Sequence, residues 1–471
     1  MARAARLTWS RSTLGVGAVG VAVAASGCLA ILDVQEDGFH LEADGGGEGG
    51  DDDGGSTGRP DASIGADGAA GDDGGDAGEA SDAPTTPPDL CAGHGWHRDC
   101  TFGDGGFYAV SYPVLPSPEQ AYPPAATADA LGNVYAFTTQ DVYETIFADT
   151  QQVTVSVDGG VSSALVGDTS FVVDVRALPN GELAFLSSNA QLGDETYVAL
   201  RVDGGVVTET VGPPTSVSLG TALRLLDVTD DEWRAGVTSL QHPAILDCMM
   251  AAGTCIVDAP QGFTPGEVPP TTAIQVDSGA WFTVGADAGL PYAYAATVTD
   301  PLAVTYGNCT GGGGFMDLSA VDDVPVAVAP SAGGFSLLVL GSCGALASYS
   351  GAYYGDPAQM HLAHGDVGSA DALTVVGAQA TGGQSALLVV SFSLSPDAGA
   401  DAGAPLRAAP VANGATSAVL LGSTVTLGTP VVVGGFLYVP FLRTPQTVDA
   451  GAGLDTVSVG EFDLLRLVYT P

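Results

Sequence analysis

Between Cys91 and Cys100 the chain reads Cys-Ala-Gly-His-Gly-Trp-His-Arg-Asp-Cys, which sets Cys91, His94, His97 and Cys100 at regular intervals of three. Two chemistries use such groups. Zinc takes tetrahedral sets of two thiolates and two imidazoles, although its usual sites join two separate ligand pairs across a longer spacer. In an oxidising compartment the two thiols instead close a small loop as a disulfide, and that is the expectation, with the metal site as the alternative. Four further cysteines fall as sequence neighbours, Cys248 with Cys255 and Cys309 with Cys343. Six cysteines allow 15 pairings, so neighbour pairing is a preference and not a deduction. His361-Leu-Ala-His364 offers two imidazoles, too few for a metal site on their own, and the pairs Asp230-Asp231 and Asp322-Asp323 offer carboxylates in a chain where acids are everywhere.

Absences narrow the chemistry further. The chain has no lysine, and its 12 cationic side chains, all arginine, face 54 acids for a formal net charge of −42. A P-loop and Schiff-base catalysis both need a lysine, so both are excluded. Nucleic acid is not expected as a partner, because phosphate binding needs clustered cations. There is no Gly-x-Ser-x-Gly elbow, no His-Glu-x-x-His and no haem-attachment motif. No catalytic residue, metal ligand or cofactor is assigned, and no cofactor is expected.

The elements that would position these groups follow from the chain in order. Arg3, Arg6 and Arg11 precede an apolar run, Leu14 to Ala25, that is too short for a retained membrane-spanning helix, so residues 1–27 read as a signal peptide. The run ends in Ala25-Ser26-Gly27-Cys28, which resembles the lipobox of bacterial lipoproteins. The resemblance implies lipidation of Cys28, cleavage before it, and attachment to a membrane through the lipid, with Leu29 after the cysteine pointing to the outer membrane. Residues 28–90 then form a lipid-anchored tether, expected to be disordered: runs such as Asp51-Asp52-Asp53-Gly54-Gly55 cannot bury enough apolar surface to offset ordering entropy. Residues 91–106 are the cysteine-bounded loop.

From residue 107 to residue 471 the composition turns to Val, Leu, Ala, Thr and Tyr with Gly-rich and Pro-rich turns, and no long amphipathic helix is evident. Asp129-Ala-Leu-Gly-Asn-Val-Tyr-Ala-Phe137 resembles the repeat of bacterial β-propellers, in which an acidic Gly-Asn turn leads into an alternating strand. Weaker copies begin at Asn180, Asp231, Asp277, Ala332, Gly382 and Gly434. Each is a turn feeding a short strand, and Ala244–Cys248 and Cys255–Val257 look like the two arms of a hairpin. The fold class is all-β, with a seven-bladed β-propeller expected and tandem β-sandwiches as the alternative. Phe107 to Leu115 is expected to complete the sheet that contains Asp463 to Tyr469.

The function expected on this reading is a cell-envelope lipoprotein that displays a binding or scaffolding propeller, with a protein or glycan as ligand and no enzymatic activity. Two alternatives stand beside it: a polysaccharide-acting hydrolase or lyase, and a periplasmic envelope-assembly subunit.

Overall fold

The computed structural model describes residues 91–114, 123–141, 148–166, 171–191, 194–203, 206–211, 222–239, 242–258, 272–275, 280–287, 290–297, 303–307, 316–321, 324–331, 334–340, 344–350, 359–381, 384–395, 406–415, 419–421, 424–448 and 457–471. Cys28, the segment 28–90, Cys309, Cys343 and the Asp322-Asp323 pair lie outside them. The described residues are all-β, and among them no helix is long and apolar enough to cross a membrane.

The strands pair antiparallel into seven sheets. Sheet I runs from Ala125–Ala128 through Val134–Asp141 and Ala148–Val155 to Val161–Val166. Sheet II begins with Phe171–Ala177, sheet III with Ala222–Val228, sheet IV with Thr272–Gln275, sheet V with Asp317–Val321 and sheet VI with Gln359–Val367. In each of these six sheets the strands follow in sequence order from the first strand outward, except that in sheet VI the short strand Val419–Leu420 pairs back onto the third strand, Gln384–Ser395. Sheet VII differs, because both ends of the described chain enter it. Its short strands Val425–Leu427 and Val431–Val433 pair with Phe436–Val448, which pairs with Val457–Thr470, and the latter also holds Phe107–Val114 and Gly95–Arg98. The pairing of Phe107 with Leu465 and of Tyr108 with Leu464 is the one expected from the sequence.

Burial explains the residue choice along each sheet. Val324–Ser331, second in sheet V, is covered on both faces and reads Val-Pro-Val-Ala-Val-Ala, whereas the outermost strand Gly344–Ser350 is largely exposed and reads Gly-Ala-Leu-Ala-Ser-Tyr-Ser. Both-face burial removes the need for polar alternation. The cores lie between neighbouring sheets. Phe137 of sheet I meets Phe185 of sheet II edge to face at 4.8 Å, and Phe335 of sheet V meets Phe392 of sheet VI at 6.0 Å. Each of these rings is at most 1% exposed, and burying such a side chain contributes about 1.5–3 kcal/mol.

The expected seven-bladed β-propeller is corrected on this evidence. Every hydrogen-bonded ladder stops at the limits of its own sheet, so the described strands form separate, open-edged sheets and not one closed assembly. Contact between sheets is face-to-face packing of apolar side chains, the relation that the alternative, tandem β-sandwiches, describes. The repeat also slips. The copies at Asn180 and Asp231 mark turns between the first and second strands of their sheets, while those at Ala332 and Gly382 precede third strands, Gly334–Val339 and Gln384–Ser395. Both kinds of turn carry glycine before an apolar strand, so local pattern cannot tell them apart.

The strongest copy has a physical basis. Asp129 Oδ1 accepts from the amides of Leu131 and Asn133, and its Oδ2 accepts from Asn133 Nδ2 and Tyr135 Oη. Gly132 supplies the left-handed φ of +90° that closes the turn. These hydrogen bonds outweigh the cost of partial burial and hold Asp129 below the usual carboxylate range.

The cysteine-bounded loop is fastened to sheet VII by Arg466. Its guanidinium reaches Asp99 at 2.7 Å and lies 4.5 Å from the Phe102 ring centroid and 4.8 Å from that of Phe436. Burial alone raises the Asp99 carboxyl, but two hydrogen bonds from Thr101 together with Arg466 hold it below its ordinary value. Arg466→Ala leaves Asp99 a buried, unpaired charge, and the expected loss is about 3–5 kcal/mol in urea unfolding. A loss below about 1 kcal/mol would show that the loop is held by other contacts.

Candidate functional site

The first strands of all seven sheets contribute side chains or backbone to one cavity of about 370 Å³. Its walls are apolar over Ala126, Leu226, Ile274 and Val432, and its polar residues are Thr127, Asp174, Arg176, Arg224, Gln275, Ser319, His364 and Thr429. A cavity of this size with a few convergent polar groups is the usual form of a small-ligand site.

Strand alternation delivers these groups. Asp174 and Arg176 stand two apart on Phe171–Ala177, so they share a face. Asp174 Oδ2 accepts from the Leu225 amide at 2.8 Å, and Arg176 Nη2 donates to the Leu225 carbonyl at 3.2 Å, so both fasten sheet II to sheet III. Arg224 Nη1 donates to Asp317 Oδ1 at 3.2 Å and to the Leu318 carbonyl at 2.9 Å. Asp317 also accepts from the amides of Leu318 and Leu362. Burial pushes the Asp317 carboxyl up, yet Arg224, His361 and the Leu362 amide together hold it below its ordinary value. Burial likewise lowers Arg224, but the fields of Asp317 and Asp174 more than restore it. Arg176 is pushed below the usual guanidinium value, first by burial and also by the charge of Arg224. It remains a cation at any physiological pH.

Gln275 presents an unusual atom. Its Oε1 is shielded from solvent and has no hydrogen-bond partner among the described residues. At the rim, His364 Nε2 is held 2.7 Å from Asp371 Oδ1, which leaves Nδ1 for exchange of a proton.

The residues singled out in the sequence have other roles. Cys91 is bonded to Cys100, with Cα atoms 5.5 Å apart, so these thiols are not metal ligands, and Cys248 is bonded to Cys255 across a hairpin with Cα atoms 4.0 Å apart. His97 turns to the Gly95 carbonyl. His361 and His364 separate, the first towards Asp317 at 3.6 Å and the second to Asp371, so they do not form one ligand pair. Three apart on a strand, they point to opposite faces. No group of three or more metal-ligating side chains occurs among the described residues. Asp231 serves its turn, accepting from the Met250 amide through its carbonyl. The cavity residues themselves were not picked out by sequence reading. Their signal is a lone charge inside an apolar run, as in Val-Asp-Val-Arg at 173–176 and Leu-Arg-Leu at 223–225.

No family model matches the chain, and no curated protein matches it. Among solved structures, a nidogen/laminin complex aligns at 12% identity and a TM-score of 0.33, over 48% of this chain and 79% of that one. Hydrazine synthase from Kuenenia stuttgartiensis aligns at 8% identity and a TM-score of 0.44, over 68% and 95%. A mutant α-L-arabinofuranosidase from Fusarium graminearum, bound to an iminosugar inhibitor, aligns at 10% identity and a TM-score of 0.37, over 58% and 93%. Likenesses this distant carry no argument about this chain. With no family model behind them, the resemblances to lipobox lipoproteins and to bacterial propeller repeats are not upheld as membership. The reading as a lipoprotein displaying a binding or scaffolding propeller is set aside with them.

One buried carboxyl lies away from the cavity. Burial pushes Asp463 up to about 6, helped by Glu461 and only partly offset by Arg443, whose Nε is 2.5 Å from Oδ2. Its Oδ1 has no hydrogen-bond partner among the described residues. The folded chain therefore holds this proton more tightly than the unfolded chain does. Its contribution to stability is full below about pH 4 and is lost as pH rises through about 6. Urea unfolding at pH 4 and pH 7 should show the wild type losing about 3 kcal/mol more than Asp463→Asn over that interval. Parallel pH profiles for the two proteins would show that Asp463 is ionised throughout.

Proposed function

We propose that this protein acts on a polysaccharide outside the cytoplasm, as a hydrolase or lyase, with the cavity receiving one saccharide unit. The observation that carries this reading is the cavity itself, in which donors and acceptors converge among apolar walls: Asp174, Arg176, Arg224, Gln275 and His364. A sugar presents the same mixture, hydroxyls that both donate and accept around a less polar ring face. The extracytoplasmic setting is supported by the two disulfides, a bond that forms and persists chiefly in oxidising environments. The charge of −42 continues to argue against nucleic acid.

Within this reading His364 is the proton-transferring group, because Asp371 fixes its ring and an imidazole nitrogen can both take up and give back a proton. Asp174 orients the sugar through the carboxylate oxygen left over from its bond to Leu225. The full chain should be incubated with a panel of neutral and acidic polysaccharides, and products followed by reducing-end release and by the absorbance of unsaturated sugars. One substrate should be cleaved, and His364→Gln should lower the rate by roughly 100-fold with an unchanged melting temperature. Absence of both binding and cleavage across the panel would overturn the proposal.

A further inference from the structure

We propose that the saccharide recognised in this cavity carries a carboxylate, a uronic-acid type of sugar, and that Arg176 is the residue that selects it. The inference rests on the reading of the cavity as a saccharide site and adds the class of sugar.

The argument comes from how charge is compensated around the cavity. Arg224 is charge-compensated, because its Nη1 pairs with the Asp317 carboxylate and also donates to the Leu318 carbonyl. Asp317 is engaged in turn by Arg224 and by two backbone amides. Asp174 has the Leu225 amide. Arg176 is the exception. It lines the cavity, and its one described hydrogen bond runs from Nη2 to a neutral carbonyl, that of Leu225. Among the described residues it makes no ion pair. A guanidinium carries five N–H donors in a planar fork that matches the two oxygens of a carboxylate. Most of that fork is therefore unused and faces the space where a ligand would sit.

The surroundings add to the demand for an anion. Enclosure of the guanidinium among protein atoms and the neighbouring Arg224 disfavour the positive charge of Arg176, the fields of Asp174 and Asp227 offset this only in part, and a bound carboxylate supplies the remainder. Gln275, on the first strand of sheet IV, lines the same cavity, and a carboxamide pairs with sugar hydroxyls. A ligand that joins a carboxylate to hydroxyls on a small ring answers both residues at once. The net charge of the chain does not forbid this. Charges farther away than the Debye length of about 8 Å at physiological salt are largely screened, so the net charge does not set the potential inside the cavity.

The test uses the full chain and isothermal titration with oligosaccharides of equal length. The acidic arm is trimers of galacturonate, glucuronate, mannuronate and guluronate; the neutral arm is the corresponding hexose trimers. At least one acidic trimer should bind, with the matching neutral trimer at least 10-fold weaker. Arg176→Gln should weaken the acidic trimer by roughly 30-fold and leave the neutral one unchanged. Arg176→Lys, which keeps the charge but not the fork, should recover only part of the loss. Thermal melting of both variants reports whether sheets II and III stay joined without the bond to Leu225. Equal binding of acidic and neutral trimers would overturn the carboxylate inference and leave the saccharide reading standing. Binding of neutral trimers alone would do the same. Binding of none would overturn both.

Discussion

Seven open-edged sheets leave seven first strands with backbone groups that no ladder satisfies, and the fold depends on how neighbouring side chains meet that demand. Thr127 accepts from the Ala177 amide and Thr139 from the Val172 amide, joining sheets I and II. Asp174 and Arg176 take the amide and the carbonyl of one residue, Leu225. Asp317 takes the Leu362 amide, and Gln359 holds the Leu427 amide and the Val425 carbonyl. Between sheets VII and I the backbone does this itself, with the Thr429 amide on the Pro124 carbonyl, and Gly428 is needed there because a Cβ would lie 2.1 Å from that oxygen. Unpaired edges invite pairing with other chains. Here the edges are occupied by polar side chains, which match a backbone group without extending a ladder.

Three of these side chains, Thr127, Asp174 and Arg176, also line the cavity, so architecture and recognition draw in part on one set of side chains. A charge placed there to bond a neighbouring strand must be partly desolvated, and it remains favourable only with compensation. Asp317 has full compensation and Asp174 has a backbone donor. Arg176 has the least, and that imbalance gives the cavity its chemical character.

Much of the architecture was legible in the sequence because it is local. Turn residues followed by alternating apolar strands mark hairpins, and cysteines seven apart across one hairpin, Cys248 and Cys255, find each other by register. The partnership of Phe107–Val114 with Val457–Thr470 was expected because a closed propeller would need its ends to meet; the strands do pair, although the sheets stay separate. How the sheets associate was not legible, since the glycine turn at Gly382 looks the same whether it precedes a second strand or a third. The cavity was illegible for a different reason. Asp174, Arg224 and Gln275 lie on three different sheets, and nothing in their spacing announces that they meet. The histidine pair at 361 and 364 stood out by proximity in sequence, yet strand geometry sends the two rings apart.

Sheet VII carries a consequence for biosynthesis. Its strand Val457–Thr470 is the partner of both Gly95–Arg98 and Phe107–Val114, which emerge from the ribosome far earlier. At translation rates of 5–20 residues per second the early strands wait roughly 20–70 seconds for their partner to be made. During that time Phe107, Tyr108 and Val110 have no ladder and no core. Such a chain gains from being held unfolded until synthesis is complete, because the capture of those first strands cannot begin before the last one exists.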